Sequence, residues 1–298
     1  MPRHDLNESL HEFDTFLRVE KNLSERTRKA YQYDLRRFVD WLVVVQKRTP
    51  ALEDITVADI RAYLQKLQID HGYKATTLSR VIASIRVFFE YCVRTERLEA
   101  SPAVHFHNPK KPKKLPVYLV EGELNKMLEV PDQSDWKGVR DFALITTFAF
   151  TGLRLQELVN LNLDNVDFER RTLRVFGKGA KERIVPMNEK VNEAIGRYLA
   201  VRLFAESDAV FLNKRQGRLS PRGIQKIIKD YSIRAGILKR RISPHKLRHT
   251  FATLLHHHGV DVLEIQSLLG HASVTSTQIY THTSSSKLAG AVHLLDDV

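Results

Sequence analysis

The sequence predicts a mainly α-helical protein with two domains, the second of which is α+β and contains a small antiparallel β-hairpin. Hydrophobic residues recur at helical spacing through the first hundred positions, a segment rich in proline and lysine then interrupts the pattern, and helical spacing returns together with two short strand-like runs. At 298 residues, of which 43% are hydrophobic, each domain can have its own core. We expect a helical domain over residues 1–100, a linker over 101–116 and the α+β domain over 117–298.

Four helices account for the predicted N-terminal domain. Apolar positions repeat at helical spacing over residues 6–17, 24–45, 60–67 and 77–93. Ser24 is a suitable N-cap for the second helix, and Thr56 with Asp59 forms a capping-box pattern before the third. These signals predict a compact four-helix unit.

Basic residues with few acidic neighbours mark the second and fourth of these helices. A solvated helix face is the commoner explanation of any one run of charge, but two basic helices in one small domain favour a surface that faces DNA. The residues of this domain that we expect to contact DNA are Arg26, Arg28, Lys29, Arg36, Arg80 and Arg86.

The predicted linker is stiff, extended and basic because prolines and lysines alternate along it. Such a segment cannot pack into a core, but it can lie across a phosphate backbone, so the two halves of the chain could close around a duplex. Its lysines that we expect to contact DNA are Lys110, Lys111, Lys113 and Lys114.

Composition favours a polyanionic partner. Lys and Arg number 47 against 35 Asp and Glu, giving a formal net charge of +12, and nucleic acid is the leading candidate. The single cysteine, Cys92, excludes an intramolecular disulfide framework and fits a reducing, cytoplasmic setting. We expect no membrane partner, because no apolar run is long enough to span a bilayer and the first residues lack the apolar core of a signal peptide.

The second domain combines helices with one hairpin. Val139 to Phe150 is almost entirely apolar and predicts a helix that is buried on every side and ends at Gly152. Residues 172–176 and 183–186 are strand-like, and the glycine-rich turn between them places Lys178 at the tip of a hairpin. The remainder to about Tyr280 is predicted to be helical again, with a helix start at Ser243 and Pro244.

Six polar residues of this domain suggest a phosphate-binding pocket that contains a nucleophile. Each of them alone is more often an ordinary surface or packing residue. His245 and Arg248, three positions apart, share a helix face that the apolar residues of the same helix do not use. An arginine at the helix start after Gly152 opposes the helix macrodipole, so it suits an anion brought there by a ligand. The six residues are Arg154, Lys178, His245, Arg248, His271 and Tyr280.

Two other interpretations of these motifs are weaker. The glycine-rich turn around Lys178 is not a nucleotide-binding P-loop, because Thr172 stands where the first glycine is required and Gly179 follows the lysine. The chain is rich in histidine, but Cys92 is remote and no acidic residues are suitably spaced, so we expect no metal site.

Glu157, one helical turn after Arg154, has two possible roles. It could orient Arg154 or be a simple salt-bridge partner within the helix.

Four motifs, in order, resemble the signature boxes of tyrosine site-specific recombinases, and the Xer branch is the most similar. They occupy residues 151–158, 177–183, 245–253 and 269–282. The resemblance extends over essentially the whole chain, because the helical N-terminal half, with its Ser24 to Thr27 start of a basic helix, is similar to the core-binding domain of this family. One box alone would be weak evidence, whereas four in order are specific.

The resemblance implies a role for each of the six residues. Tyr280 would attack a DNA phosphodiester, giving a 3′-phosphotyrosyl link and a free 5′-hydroxyl. Lys178 would protonate the departing 5′-oxygen, and His245 would assist proton transfer from the tyrosine. The residues that would hydrogen-bond the phosphate oxygens are Arg154, Arg248 and His271. In this family the reaction requires no metal, no other cofactor and no ATP.

The resemblance also implies a biological setting. The expected substrate is double-stranded DNA with a specific site. Its strands would be exchanged through a Holliday junction by a homotetramer or a heterotetramer. The expected role, near the nucleoid in the cytoplasm, is to resolve chromosome dimers at cell division. A cell-division DNA translocase would be the activating partner. One alternative is an integrase of a phage or mobile element. A second is a type IB topoisomerase, which the compact size disfavours. A third is a non-catalytic DNA-binding protein, which would tolerate loss of the pocket, whereas all six pocket residues are present in this chain. In the family the C-terminal segment usually docks on a neighbouring protomer, and here residues 288–298 are unusually acidic.

Overall fold

The structure, a computed structural model, describes residues 5–47, 50–109, 117–177, 182–237, 242–270 and 290–296. The chain divides into two compact units, Met1–Lys114 and Leu115–Val298. Both are mainly helical, and the second adds one three-stranded antiparallel sheet, which confirms the predicted fold class. Within the described ranges, no helix combines the length and the apolar character that crossing a membrane requires.

The described residues of the first unit form four helices, and side-chain caps start three of them. The Ser24 hydroxyl accepts a hydrogen bond from the Thr27 backbone N–H, while Thr56 and Asp59 cap the third helix reciprocally. The helices are α1 (Leu6–Val19), α2 (Glu25–Gln46), α3 (Val57–Ile69) and α4 (Ala75–Arg94), with a single 3₁₀ turn at Leu52–Asp54. All four agree with the helical spacing of the sequence to within a few residues.

The core of the first unit lies where α1, α2 and α4 pack together. Phe13 of α1 meets Phe88 of α4 edge to face, with ring centroids 5.3 Å apart. Cys92 is fully buried beside them, and burial raises the pKa of its thiol to about 12. Cys92 is therefore a small core residue, as its apolar sequence neighbours predict.

The second unit surrounds one buried helix. Its elements are α5 (Glu121–Glu129), α6 (Trp136–Thr151), α7 (Leu155–Val159), β1 (Val166–Asp167), β2 (Thr172–Phe176), β3 (Glu182–Pro186), α8 (Glu189–Val201), α9 (Pro221–Arg234), α10 (Pro244–His257) and α11 (Val262–Leu269). Helix α6 is buried at every position from Gly138 to Thr151 except Phe142, and it packs against α8 and α10. The sheet order is β1-β2-β3, and β2 and β3 form the predicted hairpin.

Residues 290–296 pack within their own unit. Ala291, Val292 and Leu295 are buried in the core of the second unit. The Asp296 carboxylate accepts a hydrogen bond of 3.0 Å from the backbone N–H of Glu189, at the first turn of α8. This part of the acidic C-terminal segment is thus held on the same chain, at the positive end of a helix dipole.

Candidate active site

A tight turn after α6 brings three helix ends together. Gly152 ends α6 in the left-handed conformation, with φ of +60°. A Cβ atom at this position would lie 2.5 Å from Phe251 of α10 and 2.8 Å from Leu269 of α11. Glycine is therefore required at position 152 for two reasons. It adopts the left-handed backbone conformation without strain, and it leaves room for the close approach of α10 and α11. Arg154 follows this turn at the N-cap of α7.

Arg248 of α10 joins the C-terminal ends of α6 and α11. Its side chain is almost completely buried, and its Nη1 and Nη2 donate to the carbonyl oxygens of Gly152 and Leu269 at 2.5 and 2.6 Å. Those carbonyls belong to helix ends, which lack intrahelical partners. Desolvation, together with the positive charge of Arg154, lowers the pKa of Arg248 to about 10, so the group is still a cation at neutral pH.

Arg154 is oriented by one carboxylate and one carbonyl. Its Nη1 donates to Oε1 of Glu157 at 2.9 Å, and its Nη2 donates to the Gly270 carbonyl at 2.8 Å. In contrast to Arg248, its side chain is 41% exposed. The two guanidinium groups are thus tied to adjacent carbonyls, those of Leu269 and Gly270, at the end of α11.

Glu157 is shared between two arginines. In addition to the Nη1 contact, it accepts a hydrogen bond of 2.7 Å from the backbone N–H of Arg154, which caps α7. Arg183 of β3 donates to both of its oxygens, at 2.5 and 2.9 Å. Burial alone would raise the pKa of this carboxyl, but the hydrogen bonds from Arg183 and Arg154 outweigh burial and lower the pKa to about 2. Glu157 is therefore an anion that both orients Arg154 and forms a salt bridge.

A cavity of about 340 Å³ opens beside these groups. It contains three of the six residues that the sequence singles out, Arg154, His245 and Arg248. The remaining lining residues are Leu153, Leu155, Gln225, Ser243 and Pro244. Residues that are more than ninety positions apart in the sequence thus converge on one polar cavity, which is large enough for a phosphate group and its immediate surroundings.

The other three predicted site residues, Lys178, His271 and Tyr280, lie outside the described residues. Lys178 directly follows Gly177 in sequence, after strand β2, and His271 directly follows Gly270. The lysines predicted to contact DNA from the linker, which also lie outside the described residues, are Lys110, Lys111, Lys113 and Lys114.

The basic residues of the first unit divide into internal ion pairs and exposed cations. Arg28 pairs with Asp14 at 2.6 Å, and Arg80 pairs with the buried carboxylate of Asp34 at 2.5 Å. These two arginines join helices of their own unit. Of the other four predicted DNA contacts, Lys29 is exposed and forms an i,i+4 pair with Glu25 at 2.5 Å. The remaining three, Arg26, Arg36 and Arg86, are exposed.

Histidines in the middle and at the end of α10 pack near the start of the second unit. The rings of His249 and His257 each meet the Tyr118 ring edge to face, and His258 lies 3.1 Å from a carboxylate oxygen of Glu121. Among the residues that the structure describes, no group of three or more His, Cys, Asp or Glu side chains could hold a metal ion.

Two residues of this region, Arg183 and Gln225, were not predicted to belong to the site, although Arg183 lies at the end of the second motif. A signal for Arg183 was available, because β-strand residues alternate between two faces. Arg183 shares a face of β3 with Val185, and its partner on β2 is the buried Val175. An arginine at an inward position of a strand requires a carboxylate partner. No local pattern marks Gln225, whose place at the cavity depends on the packing of α9.

Comparisons with known proteins agree with this architecture. The model of the phage integrase family matches residues 118–287, and the model of the phage integrase N-terminal SAM-like domain matches residues 10–96. Tyrosine recombinase XerC of Pelotomaculum thermopropionicum is 40% identical over 288 residues, which cover 93% of this chain and 94% of that protein. Tyrosine recombinase XerD of Oceanobacillus iheyensis is 35% identical over 289 residues, covering 95% of this chain and 96% of the relative.

Two solved structures extend the comparison. The crystal structure of XerA recombinase is 34% identical, with a TM-score of 0.51, and the match covers 95% of this chain and 96% of that one. XerH site-specific recombinase, in a post-cleavage complex with a palindromic difH substrate, is 25% identical, with a TM-score of 0.70 and coverage of 96% and 85%. This chain therefore belongs to the phage integrase family of tyrosine recombinases, enzymes that cut and rejoin DNA.

Proposed function

We propose that this protein carries out conservative site-specific recombination on double-stranded DNA, with Tyr280 as the nucleophile. One observation carries the proposal: Arg154 and Arg248, tied to adjacent carbonyls, line a single cavity together with His245. Two fork-shaped donors that are cations at neutral pH are suited to the non-bridging oxygens of a phosphodiester. The cavity therefore has the chemistry of a site for the scissile phosphate.

Both arginines keep donors for that phosphate. A guanidinium has five N–H donors. Arg154 and Arg248 each use one Nη1 and one Nη2 hydrogen for the contacts described above, which leaves three donors on each that no described residue engages. Because the protein fixes two edges of each group, the remaining donors are oriented before DNA arrives. Such preorganised donors stabilise the charge that develops on a phosphorane.

The reaction that we propose exchanges one phosphodiester for another. The phenolic oxygen of Tyr280 forms a bond to phosphorus as the bond from phosphorus to the 5′-oxygen breaks. His245 assists removal of the phenolic proton, and Lys178 supplies a proton to the 5′-oxygen. Attack by a 5′-hydroxyl of the partner strand reverses these steps and rejoins DNA. Phosphodiester energy is kept in the phosphotyrosine bond throughout, and His271 adds a hydrogen bond to the phosphorane.

The biological role that we propose is resolution of chromosome dimers at cell division. The Xer names of the relatives that cover more than nine-tenths of this chain support this role. Two pairs of protomers, identical or paralogous, would act on synapsed sites through a Holliday junction, in the cytoplasm at the nucleoid and under control of a DNA translocase. The exposed cations Arg26, Lys29, Arg36 and Arg86, with the lysines of the linker, would hold the phosphate backbone.

A covalent-trapping experiment tests the assignment of the nucleophile. The sequence of the DNA substrate is first recovered by binding selection from a random duplex pool. The substrate is then nicked, so that the 5′-hydroxyl fragment released by cleavage dissociates and the covalent adduct accumulates. Wild-type protein should form an adduct that survives denaturant, and Tyr280→Phe should bind the duplex with unchanged affinity yet form none. Tyr118→Phe, which removes another phenol from the same unit, is the matched control and should form the adduct normally.

Further outcomes separate this function from its relatives. Persistence of the adduct in Tyr280→Phe would overturn the role of Tyr280. Joining of the trapped strand to a second duplex indicates a recombinase, whereas resealing only of the original strand indicates a topoisomerase. The selected half-sites indicate the assembly: identical inverted half-sites point to a homotetramer, and different half-sites point to a paralogous partner.

A further inference from the structure

Arg183 is a third arginine of the site and has no part in the chemistry proposed above. It lies on β3, and its guanidinium grips both oxygens of Glu157. The side chain is only 17% exposed, and the Glu157 side chain is 3% exposed. A bidentate pair of this kind, largely removed from water, holds its geometry more firmly than a surface salt bridge.

The aliphatic part of Arg183 packs against the end of α11. A Cβ atom at Gly270 would lie 2.9 Å from Cδ of Arg183 and 3.1 Å from its Nε. Gly270 also has φ of +62°, so a side chain there is excluded on both grounds. The same glycine carries the carbonyl that accepts from Arg154. Arg183 therefore touches two of the groups that orient Arg154, Glu157 and the Gly270 backbone.

Occupation of Glu157 by Arg183 limits what Arg154 can do with the same carboxylate. A carboxylate accepts about four hydrogen bonds. Arg183 takes two of these places, the backbone N–H of Arg154 takes the third and Arg154 Nη1 takes the fourth. Without Arg183, Glu157 could accept both Nη groups of Arg154 and draw the guanidinium away from the Gly270 carbonyl.

We propose that Arg183 is a positioning residue that sets the orientation of Arg154 through Glu157, so that Arg154 reaches the scissile phosphate. This inference rests on the proposed function, since it assigns Arg154 to the phosphate. It adds a residue of strand β3 to the groups that prepare the site. The effect is on the rate of the covalent step rather than on the affinity for DNA, because Arg183 itself donates to Glu157 and not into the cavity.

The test compares Arg183→Gln and Arg183→Lys with wild type on the nicked duplex described above, under single-turnover conditions. Arg183→Gln should slow adduct formation about 100-fold, the loss expected when a catalytic group is displaced by about 1 Å, with unchanged DNA affinity. Arg183→Lys should recover only part of the rate, because an ammonium group cannot grip two oxygens as a fork. Arg174→Gln, which removes a more exposed charge from β2 of the same hairpin, is the matched control and should react at the wild-type rate.

A DNA substrate whose scissile linkage carries no charge distinguishes a role of Arg183 in positioning Arg154 from general structural damage. A methylphosphonate at the scissile position replaces one charged oxygen with a methyl group, so cleavage depends less on the charge of Arg154. If Arg183 acts through Arg154, the ratio of wild-type to Arg183→Gln rates should fall on this substrate. An equal ratio on both substrates, or a wild-type rate for Arg183→Gln on the phosphate, overturns the inference. If Arg183→Gln is unfolded by circular dichroism, the same ratio is measured with Arg183→Lys.

Failure of the proposed function gives a different result. In that case wild-type protein itself forms no adduct on the selected phosphate duplex, or Tyr280→Phe still forms one. If wild type reacts and Tyr280→Phe does not, any outcome for Arg183 bears only on its role in positioning Arg154.

Discussion

Replacement of Gly152 by alanine should damage both the stability of the second unit and the orientation of Arg248. The residue has φ of +60°, and a Cβ atom would lie 2.5 Å from Phe251 and 2.8 Å from Leu269. The left-handed conformation costs an alanine about 1–2 kcal/mol. Relief of the two contacts by movement of α10 and α11 costs a further 1–3 kcal/mol, roughly, as for other overpacked cores. We expect a total loss of about 2–5 kcal/mol.

Gly236→Ala provides the control. Gly236 has φ of +75° in the same unit, but a Cβ atom there would meet no atom within 4 Å. This variant should therefore lose only the conformational part, about 1–2 kcal/mol. The difference between the two variants isolates the cost of forcing α10 and α11 away from the turn.

Tryptophan fluorescence can measure this difference in the second unit alone. The chain has two tryptophans, Trp41 in the first unit and Trp136 at the start of α6. In a Trp41→Phe background, urea unfolding followed by fluorescence reports the free energy of unfolding of the second unit. Because the Gly152 carbonyl accepts from Arg248, Gly152→Ala should also slow adduct formation, whereas Gly236→Ala should not. Equal losses of stability in the two variants would refute the close approach of α10 and α11.

Two further predictions concern Glu157 and the C-terminal segment. A shift of the Glu157 pKa from 4.5 to about 2 corresponds to a contribution of about 3 kcal/mol to the free energy of unfolding. This contribution is present above pH 4.5 and is lost as the pH falls toward 2. The difference in free energy of unfolding between wild type and Glu157→Gln, measured by urea unfolding, should thus be constant from neutral pH to about 5 and become smaller in more acidic solution. A difference that becomes larger there contradicts the ion-pair network. Leu295→Ala should cost about 2–5 kcal/mol because Leu295 is fully buried, whereas its neighbour Leu294, 48% exposed, should tolerate alanine within about 0.5 kcal/mol. Similar effects of the two alanines would show that residues 290–296 do not pack on their own unit in solution.

Local sequence patterns were sufficient for most of the secondary structure. The helices of the first unit follow from apolar spacing and from caps such as Ser24 and Thr56, because these interactions involve residues only three or four positions apart. The β2–β3 hairpin follows from two strand-like runs around a glycine-rich turn. Strand β1 was not predicted, since its two residues, Val166–Asp167, are too few to show an alternating pattern and depend on pairing with β2.

The arrangement of the site could be predicted only in part. The motifs single out Arg154, His245 and Arg248, and the structure brings them to one cavity. The motifs give no indication that three helix-end carbonyls hold the guanidinium groups, because these contacts join residues 21, 96 and 116 positions apart. Arg183 was overlooked because its role depends on the face of β3 on which it lies, and the adjacent Ile184 is apolar yet 54% exposed, which obscures the alternation.

The charge balance of the site explains how a carboxylate can lie so close to Arg154, the arginine proposed to bind the phosphate. A dedicated partner for Arg154 would neutralise it and compete with the phosphate. Glu157 instead divides one negative charge between Arg154 and Arg183, and among the described residues the hydrogen-bond acceptors of Arg248 are neutral carbonyl oxygens. Three guanidinium groups against one carboxylate leave two positive charges uncompensated, and the lowered pKa of Arg248 reflects that excess as well as its burial. The anionic phosphodiester of the proposed reaction would relieve this repulsion, so the excess positive charge would favour binding of DNA at the reacting phosphate.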